Sequence, residues 1–512
     1  MNEIYCSSFS LLLIKNELHF LCIRPKLFSR QIGHNFTSTS IRITAITGSA
    51  ATEIGGSTSA QDYKYMSPVT QAGKEDIDSF KDTRMNVCDE CSMAGHNAVL
   101  AKISGNLQHF TECYEQQYGK HAFVFIGDFR QLENIGGDCI YEHKNGIHWE
   151  QALNCMVELK GKHRFADCEQ MGQLMNDMRD MGLSQDNIDL LNTRVVGTTT
   201  NGKKVELPDP FTTRYAVARN LKRCEINAGV FKQFLAKHHK EATKDNIPFT
   251  AIVIKAKARW GRIQKDLTFL QRKVLFEECC ESHCKDSKKK YCDPLLCLCY
   301  ETHVMGTQNE DVNNGQANGT TSLLERVILK HGAKLKPMQM HGCWVNAVDI
   351  DDVDHLLLRW CKLDRFQGTC KQHPGKGTFK VQHPFTMFGK KQRIGEPIQM
   401  TQFLIVINHA TTVHKLQGKT LDALVVAQIS KQQNWLHVAL SRVRRLQDLH
   451  LMEPIPDDID TTPVPEYLDM MERLRQSVLA SNTEVDALKS TIQSAIDTIK
   501  ELLEARKNDA EN

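Results

Sequence analysis

The sequence predicts an α/β protein of two parallel-sheet lobes, with a small β-rich insertion in the second lobe and a coiled-coil helix at its C-terminal end. Three observations carry this prediction. Two short apolar strands end in carboxylates, Met85–Met93 (MNVCDECSM) and Ala122–Leu132 (AFVFIGDFRQL). A second set of strand-like and helix-like segments runs from Phe211 to Lys237 and again from Phe403 to Met452. Beyond a break rich in proline and aspartate, the apolar pattern changes to heptads.

Residues 1–40 show no sustained periodicity and no recognisable motif. Ile41–Thr47 alternates and is β-branched, so it reads as a strand, and it runs into the small residues of Gly48–Thr58, a turn opening a short helix. The two acid-tipped strands follow, separated by a helix around Ala94 to Gln117, which completes a first lobe over residues 41–200. In a parallel sheet the carboxyl ends of the strands line the ligand crevice, so Asp89, Glu90, Asp128 and Gln131 are expected around one bound group, for which a magnesium nucleotide is the best fit. The plainer alternative is a set of solvated acids at strand ends.

The second lobe is expected over 201–320 and 401–452, with strands at Phe403–Ile407, Ala423–Ala427 and Leu449–Met452. Residues 321–400 hold short alternating pieces with Gly and Pro, the pattern of a β insertion. Pro454, Pro456, Pro463 and Pro465, among Asp457, Asp458 and Asp460, make 453–466 a linker that a helix cannot cross. In 467–512 one heptad position carries Met471, Val478, Val485, Ile492 and Ile499, and another carries Leu474, Leu488, Ala495 and Leu502, interrupted only by Ser481. So narrow a stripe favours a coiled coil, pairing with itself or with a partner, over a helix folded back on the body.

Composition narrows the field. A chain of 512 residues with 41% apolar residues buries real cores, and a formal charge of +3 announces no nucleic-acid binder by itself. The 18 cysteines are scattered without the spacing of a secreted disulfide scaffold, which points to a reducing compartment. No basic n-region or cleavage site frames the mildly apolar start, and no apolar run is long enough for a membrane span. Leu21–Ala51, basic and free of acids, weakly resembles an organelle transit segment. Cys279, Cys280, His283, Cys284, Cys292, Cys297 and Cys299 form a thiol-rich tract, but paired C-x-x-C knuckles for zinc are missing.

Two further segments are the most specific: Ala410–Val426 (ATTVHKLQGKTLDALVV) and Val438–Arg444 (VALSRVR). Together with Asp89–Met93 (DECSM), Gly127–Leu132 (GDFRQL) and Ile43–Thr58 (ITAITGSAATEIGGST), the pattern resembles superfamily 1B DNA helicases of the Pif/RecD branch, including those of Helitron-type transposons. The likeness also takes in Leu159–Phe165, Arg219–Phe231 and Val304–Thr320, the last resembling the segment that opens the family's SH3-like 2B insertion.

The resemblance implies two RecA-like lobes and an ATP-dependent 5′ to 3′ DNA helicase that steps along single-stranded DNA, with family roles in DNA repair, recombination and telomere maintenance. It assigns Mg²⁺ to Asp89, water activation to Glu90, γ-phosphate sensing to Gln131, and charge stabilisation to Arg164 and Arg442. Asp128, Gln417 and Gly418 would line the ATP site, and Thr47, Thr58 and His414 would touch single-stranded DNA. A nucleus is the implied setting, with the mitochondrion as alternative.

The chain also departs from the family. His163–Phe165 stands for F-R-Q, Leu416 for the serine of H-K-S-Q-G, and Gln61–Arg84 is short for the wedge subdomain. No G-x-x-x-x-G-K-[ST] loop precedes the acidic strands. Such a loop supplies several charge-assisted hydrogen bonds of about 1.5–3 kcal/mol each, so weak ATP binding is expected. Two rival readings follow: a non-catalytic DNA-binding scaffold that keeps the helicase shape, and a truncated gene or transposon remnant.

Overall fold

The computed structural model describes residues 4–7, 39–66, 73–133, 138–153, 155–158, 163–200, 202–260, 293–361, 366, 368–380, 384–387, 390–393 and 397–479. Six strands build the first lobe: β1 (Ile4–Ser7), β2 (Ile41–Ala45), β3 (Ser57–Thr58), β4 (Met85–Asp89), β5 (Ala122–Gly127) and β6 (Cys155–Glu158). They form one parallel sheet in the order β3-β2-β4-β5-β1-β6. Central strands of such a sheet are covered on both faces, and Val87, Cys88, Phe123, Phe125 and Ile126 are accordingly all buried.

β1 corrects the reading of residues 1–40 as featureless. Ile4 pairs with Val124 on one side and Cys155 on the other, so the strand is interior. Four residues are too few to display a period; their strand state comes from two neighbours.

The second lobe has a four-stranded parallel sheet in the order Ala410–Thr412, Arg214–Val217, Leu424–Val426, Leu449–Leu451. Phe403–Ile407 was expected here, but Ile405–Ile407 instead pairs antiparallel with His303–Gly306. An apolar β-branched run fits either partner, and position in the chain does not choose between them. Strands outside residues 321–400 also join the insertion's sheets: Ala251–Lys255 pairs with Cys343–Asp349, and His303–Gly306 with Thr321–Leu329.

The C-terminal helix Pro465–Leu479 docks on the first lobe. Met470, Met471 and Leu474 are buried in the aromatic core with Phe125, Phe129, Tyr141 and Trp149. The Trp149 indole N–H points at Met470 Sδ at 3.3 Å, and Arg473 forms a bidentate pair with Glu150 at 2.6 and 2.8 Å. The start of the heptad stripe thus closes an intramolecular core, against the coiled-coil expectation for these residues. The stripe from Val485 onward lies outside the described residues. So does most of the thiol-rich tract; Cys297 and Cys299 sit on Leu295–Cys299, where burial pushes both thiols well above the ordinary cysteine range. Among the described residues no His, Cys, Asp and Glu group has the geometry of a metal centre, and no helix is long and apolar enough to cross a membrane.

Candidate functional site

β4 ends in Asp89 and Glu90, both buried. Glu90 adopts φ 56° and ψ 36°, a left-handed conformation that costs a non-glycine residue about 1–2 kcal/mol and turns the chain sharply out of the sheet. Its N–H donates to Asp89 Oδ1 at 2.9 Å. The neighbouring β5 closes against this turn because it ends in Gly127: a Cβ there would lie 2.8 Å from Cys91 Sγ and 2.9 Å from the Ser92 nitrogen.

After Gly127, Asp128 Oδ1 accepts the Arg130 N–H at 2.8 Å and the Asp128 carbonyl accepts the Gln131 N–H at 3.1 Å, a side-chain-locked turn. Burial raises the Asp128 carboxyl, against the pull of that bond and of Arg442, Arg130 and Arg164. Gln131 Oε1 is buried without a hydrogen-bond partner among the described residues.

The second lobe meets this edge through Leu416–Lys419. Gln417 Nε2 donates to the Leu132 carbonyl at 3.2 Å, and its Oε1 is also buried without a partner among the described residues. Gly418, at φ 75°, places its missing Cβ 3.4 Å from Glu90 Oε1 and 4.0 Å from Glu53 Oε2, so a bare backbone lets the two lobes close over the glutamates.

Two arginines complete the cleft. Arg442 is 3% exposed and donates to the carbonyls of Val438 (2.8 Å), Leu416 (3.2 Å) and Lys419 (3.2 Å) and to Ser441 Oγ (2.6 Å). It braces the loop that carries Gln417 and Gly418. Burial, with Arg164 beside it, pulls its guanidinium down to about 9, while Glu90, Asp128 and Glu53 oppose the shift. Arg164 donates to the Ser441 carbonyl at 3.0 Å; burial lowers it too, and the same three carboxylates hold it up. The fold therefore brings Glu90, Asp128, Gln131, Arg164, Gln417, Gly418 and Arg442 together from segments far apart in the chain, with Asp89 adjoining Glu90.

The residues expected at DNA fall along a different stretch. Thr47 caps the helix Gly48–Ile54 by accepting the Ala50 N–H at 3.3 Å, and Thr58 caps Ser59–Asp62 by accepting the Gln61 N–H at 3.3 Å. They follow β2 and end β3, adjacent in the sheet. His414 lies half-buried in the turn Val413–Leu416 of the second lobe. Between them runs the loop 309–321: Asn309 abuts Gly48, Thr52 Oγ donates to the Val312 carbonyl at 3.3 Å, and Lys415 Nζ donates to Asn318 Oδ1 at 2.8 Å. Lys419 Nζ donates to the Gly319 carbonyl at 2.5 Å and to Thr321 Oγ1 at 3.2 Å, and burial pulls the amine down to about 8.

Sequence reasoning gave no role to Arg130, although it lies inside a motif. Only 2% exposed, it donates to Asn434 Oδ1 at 2.7 Å and to the carbonyls of Met178 and Thr461, both at 2.8 Å. Asn434 in turn donates to the Gln131 carbonyl at 3.1 Å. Arg130 thus ties the Gln131 turn to the helix Trp435–Leu440 and to the C-terminal segment. An arginine directly after Phe129, at the end of an apolar strand, was the available signal.

Two parallel α/β lobes thus close over a cleft of strand-end carboxylates and two arginines, Arg442 buried and Arg164 partly buried. Over 93% of its length the chain is structurally similar to Pif1 helicases. Against Bacteroides Pif1 bound to ssDNA the TM-score is 0.58 at 18% identity, covering 93% of each chain. Against Bacteroides Pif1 with ADP-AlF3 and ssDNA it is 0.57 at 18% identity, covering 93% of this chain and 94% of the other. Against Pif1 from Candida albicans it is 0.58 at 16% identity, with 93% and 95% covered. At these identities the likeness is one of fold. No protein-family model and no curated protein matches the chain.

The cleft residues fit a magnesium nucleotide in their chemistry. Buried acceptors at Gln131 and Gln417 without partners among the described residues, strand-end carboxylates for a hydrated divalent cation and paired arginines for phosphate are the complement such a ligand requires.

Proposed function

We propose that this chain is a motor on single-stranded DNA, an ATP-dependent helicase of the Pif1 kind moving 5′ to 3′. The observation that carries the reading is the apposition of Glu90 and Asp128 with Arg164 and Arg442 across one cleft, in a fold shared with Pif1 proteins crystallised with ssDNA and with ADP-AlF3. A bound magnesium nucleotide would supply the transferable phosphoryl group. Asp89 would hold the hydrated Mg²⁺, Glu90 would take a proton from water, and Gln131 Oε1 would orient that water. Arg164 and Arg442 would stabilise developing charge, an effect worth about 10³–10⁵ in rate for arginines in this role. Thr47, Thr58 and His414 would face the strand, held mainly by its phosphates and therefore sensitive to salt.

Residues 321–400, whose sheets Ala251–Lys255 and His303–Gly306 join, are read as the family's SH3-like 2B insertion into a second lobe at 201–320 and 401–452, beside a first lobe at 41–200. A nuclear setting, a linker at 453–466 and partner pairing through residues beyond 479 complete the proposal. A non-catalytic ssDNA-binding scaffold is the second reading, favoured by the sequence after β1, which holds no glycine before Gly33. Weak ATP binding belongs to both.

Translocation on oligonucleotides of increasing length tests the function. With a fluorophore at the 3′ end, the arrival signal at millimolar ATP should lag in proportion to length, and with the fluorophore at the 5′ end it should not. No lag on either strand would sink the motor.

A further inference from the structure

Asp128 and Gln131 stand at the two ends of one turn, and the residues between them are packed into different surroundings. Phe129, 5% exposed, is ringed by Trp149 at 5.8 Å, Tyr141 at 6.3 Å and Tyr467 at 6.3 Å between centroids. Trp149 and Tyr141 belong to the first lobe, whereas Tyr467 comes from the C-terminal helix Pro465–Leu479. Arg130 meets the same C-terminal segment just ahead of that helix, donating to the Thr461 carbonyl at 2.8 Å.

This segment is fixed on both sides of the turn it touches. Before the turn, the Ile455 N–H donates to Asn192 Oδ1 at 2.8 Å, and Thr461 Oγ1 accepts the Leu183 N–H at 2.8 Å. After it, Met470 and Leu474 are anchored in the aromatic core and Arg473 is paired with Glu150. Thr461 and Tyr467 therefore lie on a strap held at both ends, and each grips one of the two residues between Asp128 and Gln131.

Two hydrogen bonds close the turn from within, Arg130 N–H to Asp128 Oδ1 and Gln131 N–H to the Asp128 carbonyl. Single bonds of this kind contribute modestly, so the direction in which Asp128 and Gln131 leave the turn depends on where Phe129 and Arg130 are packed. A group near a reacting phosphate has to be held closely, since a displacement of about 1 Å can cost about a hundredfold in rate.

We propose that Tyr467 is a positioning residue of the cleft: by packing on Phe129 it holds the turn that presents Asp128 and Gln131, and it makes the C-terminal helix a working part of the hydrolytic site. This rests on reading the cleft as an ATP site. Tyr467 acts through Phe129 rather than on the reacting atoms.

The turn's own N–H groups supply a readout that needs no nucleotide. Amide hydrogen exchange of the full chain, followed residue by residue by mass spectrometry, should show Arg130 and Gln131 accelerated in Tyr467→Ala about tenfold more than the amides of β4. Tyr467→Phe, which keeps the ring, should match the parent chain. Arg473→Ala, which loosens the same helix at the Glu150 pair, should change the turn and β4 alike. In DNA-stimulated ATP hydrolysis, Tyr467→Ala should lower kcat about tenfold at unchanged KM, and Tyr467→Phe should restore it. Acceleration no larger at the turn than in β4 overturns the proposal, because a helix that only stabilises the lobe gives that result. So does an unchanged kcat in Tyr467→Ala, or a Tyr467→Phe chain that behaves like Tyr467→Ala. If Tyr467→Ala does not fold, Tyr467→Leu is judged by the same outcomes. A parent chain that hydrolyses no ATP would remove the motor reading, while the exchange rates at Arg130 and Gln131 still decided whether Tyr467 holds the turn.

Discussion

The two lobes equip their shared cleft in different ways. The first sets Asp89, Glu90 and Asp128 at the ends of β4 and β5, fixed by an interior sheet and by the close contact at Gly127. The second offers Gln417 and Gly418 on a loop outside its sheet, held by the Arg442 hydrogen bonds to Leu416 and Lys419. One side is set by strand register, the other by one side chain. The difference assigns the moving part: reorganising Arg442 alters the second lobe's edge, whereas the first lobe's acids cannot shift without distorting a parallel sheet.

The largest expected effect comes from the residue that joins the two sides. Arg130→Ala leaves Asn434 Oδ1 and the carbonyls of Met178 and Thr461 without their donor in a buried site, and should cost about 3–4 kcal/mol in denaturant unfolding. A loss below 1 kcal/mol would mean the lobes are not joined there.

Met470→Ala should remove about 2–4 kcal/mol from the first lobe alone, independent of protein concentration. Concentration-dependent unfolding would return those residues to an intermolecular coil. The two glycines sharpen the contrast: Gly127→Ala meets backbone and should cost about 1–3 kcal/mol, while Gly418→Ala, at φ 75° but with its nearest contact at 3.4 Å, should cost only about 1 kcal/mol.

A further effect, comparable to that of Gly418→Ala, concerns pH. The Lys419 amine titrates at about 8 in the folded chain and at about 10.4 unfolded, so the folded state binds this proton less readily. The penalty is complete below pH 8 and fades as pH rises from about 8 to about 10.4, a gain of about 1–2 kcal/mol that Lys419→Met should abolish. A parent chain and variant with parallel pH profiles would show that the amine stays solvated.

Much of the first lobe's site was legible in the sequence because its residues are contiguous with the strands that place them: Asp89 and Glu90 end β4, and Asp128 follows β5 directly. The gathering of Arg164 and Arg442 with these acids needed the resemblance, since composition and period say nothing about which distant segments meet. Three features stayed hidden for physical reasons. β1 is too short for periodicity, the pairing of Ile405–Ile407 depends on a partner strand a hundred residues earlier, and the helix Pro465–Leu479 shows a heptad stripe that a flat aromatic core accepts as readily as another helix. Arg130 was visible as a residue, but its role arises only when the lobes close.

Hydrolysis of ATP by the parent chain and by Glu90→Gln, each with and without single-stranded DNA and at millimolar ATP to offset weak binding, tests the central claim most directly. The account predicts a DNA-stimulated rate in the parent chain that falls to background in Glu90→Gln, with DNA affinity unchanged. Equal rates in the two chains would contradict it and leave a scaffold that has the helicase fold without its chemistry.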